Sequence, residues 1–411
     1  MREVLVVGAG AAGTAAALVA ARPGVRVTVV DGGTGASTLA TGAVDALPWQ
    51  DPGAEPTCVD PSAREVLDRL GSHVVPQDGA MLLSTSGIAR PAAGHDAALL
   101  DVRALAKKPI GVVCCDRPGW DGAALGRAWG RNYTPLEAVV VRHVGERVLP
   151  DADFAMRHDD ESRLGWLADR LREAMARSGR QVAALVLPPC LGVERARARQ
   201  LSELVGVPCG EPIAAPGGPS GLRFERARDR ALAAALVERR SSRVERIVKH
   251  EDGWDVVLED GTVSSSDEVV LAMGGLIGGG IEYCPAESVA ASAVPPSPRL
   301  PFRLTIDAPA TLGAYGQALG VPSTLFGAEP ESIAWPFVRD GLMQRVGVLV
   351  DPEGRSAQGL LIAGDLRADR PRTWLDSFAT GLAAGAAATL GGVVSATSRS
   401  PSPDEGPPIR P

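Results

Sequence analysis

Val4-Leu5-Val6-Val7-Gly8-Ala9-Gly10-Ala11-Ala12-Gly13 and, a short way on, Val25-Arg26-Val27-Thr28-Val29-Val30-Asp31 decide the fold. The first apolar run reads as a buried strand and the alanine-rich residues 14–21 as a helix ended near Pro23-Gly24. Residues 25–30 read as a second strand closing on Asp31. Strand, glycine turn, helix and strand in this order form the βαβ unit of a doubly wound parallel sheet. In the turn, Gly8 permits the tight bend, Gly10 lets a diphosphate approach the main chain, and Gly13 lets helix and strand pack closely. Ala11 and Ala12 lie in the turn that leads into the helix, whose start offers free N–H groups and a dipole that favour an anion. Asp31 stands where a carboxylate accepts the hydroxyls of an adenosine ribose.

Outward from this unit, residues 32–42 form a Gly/Ser/Thr loop too polar for regular structure. The α/β pattern then restarts. Residues 110–115, 138–141 and 182–187 read as strands and 160–177 as an amphipathic helix with Leu164, Leu167 and Leu171 on one face. Residues 224–239 read as a helix, and 244–249, 254–259 and 262–264 as an antiparallel meander turning at Glu259-Asp260-Gly261. Strands at 269–271, 347–351 and 360–362 and a helix at 377–390 complete the reading. The expected fold is α/β: a Rossmann-like FAD-binding domain, parallel sheet plus antiparallel meander, with an inserted α/β domain. The first domain takes residues 1–98, 211–282 and 346–394, and the insertion takes 99–210. Residues 283–345 are a small cap or substrate segment, and the Ser/Pro-rich residues 395–411 a disordered tail.

Composition narrows the class. The 42 basic and 49 acidic residues give −7 without a basic block, which excludes a nucleic-acid groove. Six cysteines with no C-x-x-C pair exclude a zinc ribbon or an iron–sulfur cluster held by this chain alone. Met1-Arg2-Glu3 lacks the basic start of a signal peptide. The uncharged residues 377–398 are mostly Ala and Gly, too weakly apolar for a membrane span. A cytoplasmic protein is expected, reaching the inner membrane only through partners.

Three later features favour FAD over NAD. Ser37 and Thr38, then Thr41 and Gly42, supply hydroxyls and a close-approach glycine beside the phosphates. Val269-Val270-Leu271-Ala272-Met273-Gly274 ends a strand on small residues, Ala272 and Gly274 being candidate contacts, with Val244 in the meander on the adenine side. Leu361-Ile362-Ala363-Gly364-Asp365 ends another strand where a carboxylate can meet the flavin's sugar-alcohol chain.

Together with Leu185-Val186-Leu187-Pro188-Pro189-Cys190-Leu191-Gly192 and Pro219-Ser220-Gly221-Leu222-Arg223, these passages carry a family resemblance. The chain resembles the FMN-associated subunit of anaerobic glycerol-3-phosphate dehydrogenase, within the fumarate-reductase-like flavoproteins with two dinucleotide-binding domains. That resemblance implies a flavin-dependent oxidoreductase subunit acting on sn-glycerol 3-phosphate or a similar small hydroxylated substrate. It implies an iron–sulfur electron-transfer subunit and a second flavoprotein subunit as partners, with quinone reached indirectly. The family implies FMN, whereas the turn and Asp31 suit the adenosine half of FAD; FAD is the expectation and FMN the alternative.

A phosphate calls for arginine. Arg223 and the Arg367, Arg370 and Arg372 cluster after Gly364-Asp365 are the candidates, the catalytic expectation resting on Arg223, Arg367 and Arg370. The five histidines and Cys190 read as packing or surface residues. Two rival readings remain. One is an NAD(P)H-dependent flavin reductase whose second nucleotide loop is residues 274–280; the other is a non-catalytic subunit that holds flavin for assembly.

Overall fold

The computed structural model describes residues 1–45, 59–105, 108–130, 132–213, 215–285, 302–306, 308–318 and 342–390. The expected 395–411 tail and most of the 283–345 segment, including Trp335-Pro336-Phe337, lie outside the described residues. Strand β1 (Arg2–Val7) runs parallel to β2 (Val25–Asp31) on one side and to Glu268–Leu271 on the other. Glu238–Ser241 flanks β2, and Leu360–Ile362 followed by Arg355–Ala357 completes a six-stranded sheet. All strands but the last are parallel, which is why β1 reads as a continuous valine run: both of its faces are covered. The fold is the mixed α/β, Rossmann-like one expected.

One face of the sheet carries helix α1 (Ala11–Ala20) and the closing helix Trp374–Leu390, which pack directly on each other. A Cβ on Gly381 would stand 2.1 Å from the Ala12 carbonyl oxygen and one on Gly385 2.3 Å from that of Ala16. The Ala/Gly-rich closing stretch is therefore a close-packed helix seam. Among the described residues no helix is long and apolar enough to cross a membrane. The other face carries the antiparallel meander Val244–Lys249, Trp254–Leu258 and Val263–Ser266.

The second α/β unit has its own parallel sheet, in the order Cys209–Gly210, Ala184–Val186, Ile110–Cys114 and Tyr133–Glu137. Its helix Glu161–Ser178 starts on Asp160, whose side chain accepts the Arg163 N–H, and stops at left-handed Gly179. Leu164, Leu167 and Leu171 are fully buried against the sheet.

Several expectations shift. The strand expected at 138–141 runs over Tyr133–Glu137, because its register is set by pairing with Ile110–Cys114 and its buried alternation begins at Thr134. The helix expected at 224–239 spans Pro219–Ala234, with Pro219 in the first turn, where its missing N–H costs nothing. Glu238–Ser241 is then an edge strand of charged residues; the charges gave it a helical look, and they also discourage further pairing. The strand at 347–351 shrinks to Gly347–Val348.

The helix Pro219–Ala234 is fixed by Arg223, 1% exposed. Its Nε donates to both Asp96 oxygens at 3.0 Å, its Nη1 to the Gly192 carbonyl at 2.7 Å, and its Nη2 to Glu211 at 2.7 Å and Ser220 Oγ at 3.1 Å. Glu211 in turn accepts the Cys190 N–H at 2.6 Å. Burial works against the guanidinium's charge, but Asp96 and Glu211 outweigh it and hold the Arg223 pKa above its ordinary value. Arg223→Met strands two buried carboxylates, so a loss of about 3–5 kcal/mol is expected, read as a lower urea midpoint of the whole chain.

Two sequestered imidazoles, His73 half-buried and His158 fully buried, set an acid response. Burial pushes His73, beside Phe224 and Trp374, and His158, beside Phe154, down to about 4. The unfolded chain binds protons near pH ~6.5 that the folded chain refuses until about pH 4, so stability present above ~6.5 is lost as pH falls through that window. At ~1.4 kcal/mol per unit, each site contributes on the order of 3 kcal/mol. Thermal melts between pH 7 and 4 should show a shallower decline for a His73→Phe, His158→Phe double variant than for the wild type.

Candidate functional site

A cleft of about 410 Å³ opens where β1 gives way to α1. Gly8 makes the turn at φ +102°, and a Cβ there would sit 2.3 Å from the Ala272 carbonyl oxygen at the end of the neighbouring strand. Gly13 lies under the turn rather than in the cleft; its Cβ would overlap the Gly8 carbonyl at 1.8 Å. Helix α1 begins after Gly10 with no side chain of its own capping it and no acidic residue in its first turn. Its positive end faces the cleft, and Ser37 Oγ reaches across to accept the Ala11 N–H at 2.9 Å.

The remaining expected cofactor residues divide cleanly. Gly8, Gly10, Ala11, Ala12, Asp31, Ser37, Thr38, Val244, Ala272, Gly274, Gly364 and Asp365 line this cleft. Thr38 spends its hydroxyl on the Gly35 carbonyl at 2.7 Å, closing the short turn Ala36–Leu39. Thr41 and Gly42 are not on the cleft wall; a Cβ on Gly42 would meet Ser220 Oγ at 2.8 Å and Asp96 Cβ at 3.1 Å. Gly42 thus serves the Arg223 cluster, which is a correction to its expected place beside the cofactor.

The second corner is brought directly onto the first. Gly364, at φ +70°, donates its N–H to Thr380 Oγ1 at 2.9 Å, and its Cβ would stand 2.8 Å from that of Ala12. Next to it, Asp365 accepts the Ser377 hydroxyl at 2.7 Å, so both side chains are held at the cleft. The glycine-rich loop after Gly274 folds on itself, with the Gly280 N–H on the Gly275 carbonyl at 3.1 Å. Among the described residues no helix follows it directly, so it forms no second anion site of the α1 type.

The expected catalytic arginines are elsewhere. Arg223 is locked in the buried cluster, all three of its guanidinium nitrogens engaged by the protein. Arg370 pairs with Asp376 on an exposed loop. Arg367 packs toward Gly354, 3.3 Å from where its Cβ would be, and burial pushes its pKa down. Arg372 gives Nε to the Gln344 carbonyl at 3.2 Å and Nη2 to that of Val346. None of the four lines the cleft. Cys190 is fully buried, and burial pushes its thiol far up, leaving it unreactive.

Four charged residues on the cleft wall escape a motif reading: Glu225 and Arg228 on the helix Pro219–Ala234, and Arg243 and Glu282. Arg228 Nη1 donates to the Ala9 carbonyl inside the glycine turn at 3.0 Å. Glu225 and Arg228 fall within the helix expected at 224–239, and only the packing of that helix brings them to the cleft.

A helix end free of acidic residues, a close-approach glycine turn and a carboxylate at the end of β2 fit the diphosphate and ribose of a dinucleotide. The site thereby defines a dinucleotide-binding flavoprotein of the Rossmann type. In sequence, residues 3–82 match the family described as FAD binding domain. The chain carries an FAD site, and FAD is its cofactor. No curated protein sequence matches the chain. Among solved structures it is similar to CtdE in complex with FAD (8% identity, TM-score 0.36, covering 95% of this chain and 84% of that one). It is also similar to FqzB (10%, 0.34, 94% and 73%) and to iminodiacetate oxidase IdaA from Chelativorans sp. BNC1 (15%, 0.31, 93% and 95%). Likeness of this degree says nothing about substrate or reaction.

Gly8→Ala sets an L side chain at positive φ against a carbonyl, at a cost of about 1–3 kcal/mol for the backbone alone. The expected outcome is a purified chain with little or no flavin absorption, scored as FAD released per chain against wild type.

Proposed function

We propose that this chain is a flavoprotein subunit of the anaerobic glycerol-3-phosphate dehydrogenase type, the counterpart of that enzyme's FMN-associated subunit. It passes electrons from sn-glycerol 3-phosphate, or from a sister flavoprotein subunit, through an iron–sulfur partner to quinone. One observation supports the reading most. The passages that carry the family resemblance, distant in sequence, interlock around one side chain. Gly192 closes the Leu-Pro-Pro-Cys-Leu-Gly passage and accepts from Arg223, which closes the Pro-Ser-Gly-Leu-Arg passage, while Gly42 of the third packs on Ser220. That contact joins the second α/β unit to the cofactor unit through residues outside the glycine turn.

Bound FAD supplies a two-electron acceptor. The chain's own residues bind its diphosphate at the α1 terminus, take its ribose at Asp31 and hold its far end at Gly364, Asp365 and Ser377. Among the described cleft residues there is no histidine, and Asp365 is the carboxylate placed beside the second corner. A secondary alcohol needs a proton acceptor as it is oxidised. The reductase reading has less support, because the 274–280 loop lacks the helix a second nucleotide would need.

The test uses the chain co-purified with the subunits encoded beside it. Anaerobic sn-glycerol 3-phosphate should bleach the flavin of the assembled complex, and NADH should leave it oxidised. Bleaching of the isolated chain by NADH, or a complex whose flavin never responds to the phosphorylated alcohol, would replace this reading.

A further inference from the structure

Asp31 is 5% exposed, and the residue that decides how it can act comes from elsewhere in the chain. Arg239, on the edge strand Glu238–Ser241, donates Nε to Asp31 Oδ2 at 2.6 Å and Nη1 to Asp229 Oδ1 at 2.9 Å. The same Asp229 oxygen accepts Arg228 Nε at 2.8 Å, and Arg228 Nη1 holds the Ala9 carbonyl at 3.0 Å. Four alternating charges therefore run without a break from the ribose end of the cleft to the glycine turn.

The geometry points to this relay, Asp31–Arg239–Asp229–Arg228, as the device that presets the adenosine half of the FAD site, with Arg239 and Asp229 as positioning residues. The inference rests on the FAD reading of the cleft. Asp31 lies close to the place a diphosphate must occupy, and an unpaired carboxylate there would repel it and resist burial. Arg239 removes that difficulty. It engages Oδ2, which leaves Oδ1 of this cleft-wall residue as the acceptor for a ribose hydroxyl. At the other end, Arg228 fixes the Ala9 carbonyl, and with it the turn that aims the α1 N–H groups. Two arginines balance the two aspartates, and Glu225, 3.7 Å from Arg228 Nη1, adds one negative charge at the Arg228 end. It also links the β2 carboxylate to the helix Pro219–Ala234, so the ribose and diphosphate contacts are set together.

A positioning role limited to the adenosine half makes a specific forecast. Apo-protein would be titrated by calorimetry with FAD, ADP and FMN, using wild type, Arg239→Met and Asp229→Asn. Loss of a hydrogen bond to a charged group weakens binding about tenfold or more, and FAD and ADP should lose that much in both variants. FMN, which lacks the adenosine, should bind as it does to wild type. Arg239→Lys, which retains the charge, should recover part of the loss. Equal weakening of FAD and FMN, or unchanged FAD affinity in both variants, would overturn the proposal. Should Arg239→Met not fold, the near-isosteric Asp229→Asn carries the same comparison. Wild-type protein that binds FMN as tightly as FAD, and ADP not at all, would instead overturn the FAD reading beneath it.

Discussion

The guanidinium of Arg223, shared between Asp96 and Glu211 out of reach of solvent, is the contact on which the arrangement of this molecule rests. Removing such charges from water is expensive, and the cluster repays that only because its polar groups are matched. Nε, Nη1 and Nη2 all find acceptors, and Glu211 spends its other oxygen on the Cys190 and Leu191 N–H groups. Each partner belongs to a different part of the chain: the strand Gly94–Asp96, the loop after Ala184–Val186, and the segment following Cys209–Gly210. One side chain thus pins the second α/β unit, a small sheet beside the cleft and the helix Pro219–Ala234. An apolar substitute could fill the same volume, but it could not require these three segments to meet in one orientation.

That helix carries the constraint onward. Arg223 faces the second unit, whereas Arg228 and Asp229, about one and a half turns later, face the cofactor side. A buried anchor on one face and a charged relay on another make the helix a strut between the two α/β units. The cleft wall then depends on residues far from the glycine turn, which is how a motif found in many proteins becomes part of one particular architecture.

Much of this was legible in the sequence because it is local. The turn Gly8-x-Gly10-x-x-Gly13, the strands around it and Asp31 obey rules that act within some thirty residues, and the structure sets all of them around one cleft edge. The Gly364-Asp365 corner was readable for the same reason: a strand ending on glycine demands a bend. What escaped is non-local. Nothing near Glu238-Arg239-Arg240-Ser241 announces a strand, since among the described residues its only strand partner is β2 and its side chains alternate poorly in burial. The short pairings of Ala43–Val44, Gly94–Asp96 and His73–Val74 are likewise made by tertiary contacts, and two or three residues carry no period to detect. Gly42 looked like a cofactor glycine because small residues near a phosphate turn commonly are; it is small because Ser220 and Asp96 crowd it.

The arginines teach the same lesson about chemistry. A guanidinium near a flavin by sequence was expected to take substrate, yet Arg372 binds the Gln344 and Val346 carbonyls and Arg370 an aspartate in the first turn of the closing helix. Five donors in a rigid fork make arginine as apt for tying loops as for seizing phosphate, and position along the chain does not distinguish the two. Acceptor type does. Arginines satisfied by protein carbonyls and carboxylates are spoken for, whereas Arg228 reaches the turn that the diphosphate must approach. The cleft wall carries charge at both corners, Asp31 and Arg228 by the glycine turn and Asp365 by Gly364.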